Sequence, residues 1–449
     1  VYLDEASALE LGATTDITVK RVGSNLALSD STDQAQVGVT AGTQVLVTTT
    51  AGALSVTQAV TAAGNLLLAA GGATGDLTIG ADLTSTAGVI ELTAGGNLAQ
   101  NADVIANASG KTIRMVAAGN LLMAGNTLVQ TNDGNVALQA GGELALGAID
   151  AGTAAVAAKA TRITDADADV DITAGSALLD AGNGIGEAGS LVELAVGTLT
   201  AQAGAGGMHL STDGAVSIGS VSVVVNTIAV TGSDSAMGAI AAQGMTATAG
   251  GSIVLTAGGA LTLNAGTGEI DAGGAVLLQA AGAITANASV KAGSNLSVIG
   301  TAITQAAAGD FSSAGGSIDV EATTGSITMA DGATAQTGGG NIRYAASQGD
   351  ITVGLLDART AADRTGSTLT AQANWGSVSI LAGGAIADNA NETSVDVYAK
   401  QLRLQAGSGI GAGTQHLETE AVVLSAKAGT GGVYLDEASA LELGATTDI

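Results

Sequence analysis

LLMAGNTLVQTNDGNVALQAGGELAL, running from Leu121 to Leu146, carries a short apolar rhythm that recurs along the chain. Its apolar residues come as i, i+2 pairs: Leu121 with Met123, Val136 with Leu138, and Leu144 with Leu146, preceded upstream by Ile113 with Met115. That spacing belongs to short strands with one buried face, and no helical period competes with it. The apolar signals begin at Leu121, Leu128, Val136 and Leu144, steps of 7, 8 and 8 residues, so three steps return after 23. Working outward, the same interval separates Ile253 from Val276 (23), Ile318 from Ile342 (24) and Ile327 from Ile351 (24). Parallel strands normally need a covering crossover helix, and none can be built from this pattern. The remaining arrangement winds the chain on itself so that each coil hydrogen-bonds to the next. The fold expected is therefore all-β: a parallel β-solenoid, right-handed by default, with three short strands per coil of about 23–24 residues.

Composition agrees. The 449 residues include 68 Gly but neither Pro nor Cys, with 46% hydrophobic and 1% aromatic residues. A core nearly without aromatics is narrow, filled by Ala, Val, Leu and Ile. A mean hydropathy of +0.42 excludes a disordered chain. Pro would delete a ladder donor, which makes its absence intelligible. Gly119-Asn120, Gly134-Asn135, Gly274 and Gly340-Asn341 fall at the breaks and are read as corners, where positive φ is tolerated. No apolar run is long enough for a transmembrane helix.

The chain also repeats itself. Val1 to Ile17 (VYLDEASALELGATTDI) recurs letter for letter as Val433 to Ile449, an offset of 432 residues. One period and the opening of the next are thus present, and the chain is read as a window on a longer parent. Inside the period, Ala181–Gly219 aligns without gaps on Ala406–Gly444 at an offset of 225. Met123–Asn135 aligns on Met329–Asn341 at an offset of 206, so the period holds two diverged half-repeats. The expectation is one continuous solenoid over 1–449, with 18 or 19 coils per period and a rise on the order of 90 Å at about 4.8 Å per coil.

Stretches such as AGGNLAQ (94–100), GGSIVLTAGGALTLNAGTGEI (250–270) and AGSGIG (406–411) resemble the repeat regions of filamentous-haemagglutinin-like adhesins and giant β-strand-repeat surface proteins of Gram-negative bacteria. The resemblance implies secretion by a two-partner or type I route, an extracellular cell-surface location, and a role in adhesion, aggregation, biofilm or fibre formation. The partners it implies are neighbouring repeats of the same polypeptide and laterally associated copies. With 13 basic and 40 acidic residues the formal charge is −27, which argues against nucleic acid or an anionic membrane surface as partner.

Candidate chemistry is sparse, and the expectation is a non-enzymatic structural chain with no catalytic or cofactor-binding residues. The best candidate for an ion is Thr164 to Ile172, where Asp165, Asp167, Asp169 and Asp171 alternate along an expected strand and could share a Ca²⁺ with a neighbouring coil. A solvated acidic face is the alternative, since only Asp171 keeps its type 225 residues on, as Asp396. Gly71–Leu77 resembles a calcium nonapeptide only once and at the wrong spacing, so it is read as a corner. His209 and His416 are the only histidines and are placed at the surface or at strand ends. Met115, Met123 and Met329 read as core filler. Trp375, Phe311 and the Tyr residues are too dispersed for an aromatic binding platform. Asp357, Arg359, Asp363 and Arg364 form the densest mixed-charge patch, read as a protruding loop. Two other functions stay open: a ligand- or glycan-binding adhesin module, for which Asp357 to Ser367 is the only hint, and a β-helix polysaccharide lyase or hydrolase, which needs clustered carboxylates in a cleft.

Overall fold

A computed structural model describes residues 1–389 and 394–447. Short parallel strands stack coil upon coil through about 17 turns, and the only helix among the described residues is the single turn Ala361–Thr365. The chain divides into two compact units, one formed by Val1–Asp180 with Ser222–Ile240, the other by Ala181–Val221 with the chain from Ala241.

In the first unit the inward side chains line up in three columns. Val45, Leu66, Ile90, Ile113, Val136 and Val156 are successive register partners in one. Leu9, Leu54, Leu77, Leu98, Leu121 and Leu144 form the second, and Val39, Val60, Leu83, Val104, Val129 and Ile149 the third. The second unit repeats the scheme: Ile253, Val276, Leu296, Ile318, Ile342 and Val378 stack in one column. Leu261, Ile284, Ile303, Ile327, Ile351 and Ile386 stack in another. Each buried Val, Leu or Ile contributes about 1.5–3 kcal/mol. Neighbouring coils share both the ladder bonds and this burial, so stability lies between coils.

The intervals read from the sequence are the register itself. Leu121 pairs with Leu144, Ile253 with Val276, Ile318 with Ile342 and Ile327 with Ile351. Ile113, Met115, Leu121, Met123, Val136, Leu138, Leu144 and Leu146 are all buried. The half-repeat is equally visible. Gly184 pairs with Gly207 as Gly409 pairs with Gly432, and Val192 with Leu210 as Leu417 with Leu435, each at the offset of 225.

Three expectations are corrected. There are about 17 turns rather than 18 or 19, because some residues leave the coils. They form an antiparallel hairpin at Ile17–Val22 with Leu28–Asp33, a second at Asn226–Ile228 with Asp234–Ala236, and an insertion around the turn Ala361–Thr365. The signal at Leu128 is out of phase by one residue. Val129 and Thr131 face inward, and Thr131 is accommodated because its hydroxyl donates to Gly134 O at 2.5 Å. Thirdly, the corner glycines and asparagines are not there for positive φ: Gly119, Asn120, Gly134, Asn135, Gly274, Gly340 and Asn341 are absent from the residues with that conformation. The glycines permit close stacking, since a Cβ on Gly134 would overlap Lys111 O of the coil below. The asparagines lend a carbonyl to the next coil. Asn97 Oδ1 accepts from Asn120 N at 2.9 Å, and Asn120 Oδ1 from Glu143 N at 2.9 Å.

The second hairpin lies against the outer face of the first unit. Leu46 and Leu67 point outward from their strands yet are buried, because Ile228 packs on them together with Val89. Ile228 N donates to Glu91 Oε2 at 2.5 Å, and the same carboxylate pairs with Arg114 through its other oxygen at 2.5 Å.

Candidate functional site

The acidic run is not a strand. Asp165 ends the strand Ala155–Asp165, and the chain then bends before resuming at Ile172. Within the bend Asp165 Oδ1 accepts from Asp167 N at 2.7 Å and Asp167 Oδ1 from Asp169 N at 2.8 Å, so these side chains shape a turn. Asp171 is buried. Asp165, Asp167 and Asp169 are thus joined by local turn bonding and do not alternate along one strand.

An acidic group forms in the second unit around Asp396, the half-repeat counterpart of Asp171. Asp388 ends the strand Ile386–Asp388, Asp396 immediately precedes the strand Val397–Ala406, and Glu418 lies at the start of Leu417–Lys427. One carboxylate oxygen from each lies within 4.8 Å of the others. The ladder places them: Asp396 N donates to Glu418 O at 2.9 Å, while Glu418 N donates to Asp396 Oδ2 at 3.0 Å. Residues 390–393, between Asp388 and Asp396, lie outside the described residues. Burial, reinforced by the charges of Asp388 and Glu418, pushes the Asp396 carboxyl up to about 8. Burial and the Asp388 charge also raise Glu418. The group can thus hold one proton at neutral pH. As a cation site it brings together one oxygen from each of three carboxylates, where Ca²⁺ takes six to eight, so second carboxylate oxygens, water or backbone carbonyls would have to complete the shell.

The sign of the pH dependence follows from the raised value. The fold favours neutral Asp396, so its contribution is fully present below the ordinary carboxylate pKa of about 4 and is lost as pH rises through about 8. Thermal unfolding of the second unit is expected to shift to lower temperature between pH 5 and pH 9. Asp396→Asn should flatten that slope and stabilise the unit above pH 8 by about 1–3 kcal/mol, the usual cost of a poorly compensated buried polar group. Equal slopes in the two proteins would sink this assignment.

The mixed-charge patch is more ordered than a protruding loop. Asp357 is fully buried at the end of the strand Leu355–Asp357 and receives Arg359 through Nε at 3.0 Å and Nη2 at 2.7 Å. The Arg359 guanidinium lies 3.8 Å from the centroid of the Tyr398 ring, and Trp375 meets the same ring edge-on at 6.0 Å. Trp375 Nε1 donates to Asp363 Oδ2 at 3.1 Å, and Arg364 Nη1 to Arg359 O at 2.7 Å. Sequence distance hid this grouping, since Tyr398 comes to lie beside Asp357 only after a further coil has closed, and Trp375 reaches its ring from the insertion. Phe311 and Tyr344 fill the core, and Tyr344 OH donates to Gln305 Oε1 at 2.6 Å. His209 sits half-buried within the strand Gly207–Thr212, while His416 adjoins a strand end and stacks on Tyr434 at 6.2 Å. Among the described residues no helix is long and apolar enough to cross a membrane. Comparison with protein-family models, curated proteins and solved structures returns no match.

Proposed function

We propose that this chain is the structural repeat region of a secreted bacterial surface protein, a non-enzymatic solenoid whose periods prolong one extracellular fibre or adhesin stalk. The observation that carries the reading is the repeated coil itself. In its first copy the coil pairs with the coil that follows, Leu3 with Val47 and Leu9 with Leu54. In its second copy the same sequence pairs with the coil that precedes, Leu435 with Leu417 and Leu443 with Leu424. One sequence is therefore compatible with a neighbour on each edge, which is what an interior coil of an uninterrupted stack requires.

The charge of −27 and the lack of Cys support a soluble exported surface, and the resemblance to filamentous-haemagglutinin-like repeats supports a Gram-negative cell surface. The carboxylates near Asp171 and Asp396 serve coil geometry in this reading, with calcium not required. Electron microscopy of a chain of several periods tests it. The expected image is a continuous thin fibre with an axial repeat on the order of 80 Å, from about 4.8 Å per turn. Beads joined by flexible linkers would overturn it.

A further inference from the structure

The two hairpins are one element in two copies. Each follows a coil strand, Leu9–Leu11 or Val216–Ile218, and leads into another, Val39–Ala41 or Met245–Ala247. Their tips close identically. Gly23 N donates to Ala27 O at 2.8 Å and Leu26 N to Gly23 O at 2.9 Å, while Ala229 N donates to Ser233 O and Gly232 N to Ala229 O, both at 2.8 Å. Positive φ falls at Leu26 (62°) and Gly232 (87°), and again at Gly38 and Gly244 (both 67°). The tip and positive-φ pairs are each offset by 206, the same offset that relates Met123–Asn135 to Met329–Asn341. Val22 is thereby the counterpart of Ile228, and Thr18 of Val224.

Their surroundings differ. Ile228 is only 7% exposed, seated on Leu46, Leu67 and Val89 of coils that precede it in the chain. Further bonds fix that hairpin: Asn226 N donates to Thr112 Oγ1 at 3.0 Å, and Asn135 Nδ2 to Val224 O at 2.8 Å. Val22 is 61% exposed, and Val19 and Leu28 are similarly bare. A chain that covers the apolar side of one hairpin leaves the other uncovered.

The face that the first hairpin matches is in the second unit. Coil by coil, the strand Val45–Thr49 corresponds to Ile253–Ala257 and Leu66–Ala70 to Val276–Ala280, so Val254 and Leu277 stand where Leu46 and Leu67 stand. They are direct register partners, half-buried and outward-facing. Two of the polar anchors recur, while the positions of Asn65, Val89 and Glu91 are taken by Ala275, Asn295 and Ser297. Ser317 supplies a hydroxyl at the position of Thr112. Asn341 Oδ1 accepts from Ser377 N at 2.8 Å just as Asn135 Oδ1 accepts from Ala155 N at 3.0 Å, which assigns its Nδ2 the donor role that Asn135 plays toward Val224 O.

We propose that the hairpin Ile17–Val22/Leu28–Asp33 is a strap for a second copy of this chain: in tandem array it lies over the outer face of the preceding copy, with Val22 on Val254 and Leu277 and Thr18 O on Asn341. This rests on the fibre reading above and adds a lateral lock across each period junction, beyond the coil-to-coil ladder.

The test uses two consecutive periods, Ile449 being continued by residues 18–449. The natural chain has no Cys, so a Leu277→Cys in the first period and a Val22→Cys in the second are the only thiols. A second protein carrying Leu67→Cys and Ile228→Cys in one period is the internal standard, because that hairpin is seated. Treated with a short bis-maleimide, the strap pair is expected to cross-link at a rate within about tenfold of the standard. Thiols that stay unlinked while the standard closes would overturn the strap. Electron microscopy of the same two-period protein separates the causes. An unlinked straight rod removes the strap and keeps the fibre, whereas two rods at varying angles remove both.

Discussion

Tyr344→Ala is expected to destabilise the second unit by about 3–5 kcal/mol, the range for deleting a large buried ring. Tyr344 has no exposed surface and is stacked between Val320 and Ile380 in a column that otherwise holds aliphatics. A solenoid interior cannot collapse around the missing ring, because each coil is held at ladder spacing by the coils above and below. The hydroxyl adds a second, separable cost. It donates to Gln305 Oε1, and Gln305 Nε2 in turn donates to Gly309 O at 2.9 Å. Tyr344→Phe keeps the packing and strands one buried acceptor, at about 1–2 kcal/mol. Adding Gln305→Leu to Tyr344→Phe should deepen that loss, since Gly309 O and Thr334 O then lose the amide that donates to them. Denaturant unfolding of the three variants checks the order. A Tyr344→Phe as damaging as Tyr344→Ala would overturn the packing account.

Gly340→Ala should cost about 2–3 kcal/mol, although it adds a single methyl group. A Cβ on Gly340 would overlap Gly316 O of the coil beneath, and one on Gly376 would overlap Gly340 O in turn, so three successive corners depend on bare backbone. The Gly340 carbonyl is also held by Thr337 Oγ1 at 2.6 Å, which prevents the corner from moving aside. Gly134→Ala, 206 residues earlier, should behave alike, because Thr131 holds Gly134 O in the same way and Lys111 O lies in the path of the new methyl. Gly214→Ala is the contrast. Nothing lies within 4 Å of its Cβ position and its φ is not positive, so it should be neutral or stabilising by up to about 1 kcal/mol. Urea titrations of these variants decide it, and equal effects at Gly340 and Gly214 would remove the stacked-corner explanation.

The carboxylate group around Asp396 shows where legibility ended. The half-repeat alignment singled out Asp171 and Asp396 as a kept pair, but nothing in the local sequence announced Asp388 and Glu418 as companions of Asp396. Those residues meet because a coil closes and the ladder sets Asp396 beside Glu418. The same is true of Arg359, Trp375 and Tyr398. Around Asp165 the alternation of acid and small residue suggested a strand, yet Asx-type turn bonds from Asp165 and Asp167 won locally.

The parallel solenoid, its coil length and most of its inward residues were legible in the chain's apolar pattern, because a repeated i, i+2 pattern has only one face to bury and the interval between patterns is the ladder register. The offset of 225 is also read from the sequence, and the pairings at Gly184 and Gly409 share it. What the corner glycines and asparagines do emerges from the folded coils: the crowding of Gly134 against Lys111 O and the bond from Asn120 N to Asn97 Oδ1 join different coils. Folding likewise explains why Leu46 and Leu67 can be apolar on an outward face, because Ile228, more than 150 residues away, returns to cover them. Side-chain alternation reports which face a residue takes. It carries no information about what later folds against the other face, and that is settled by distant chain meeting in space.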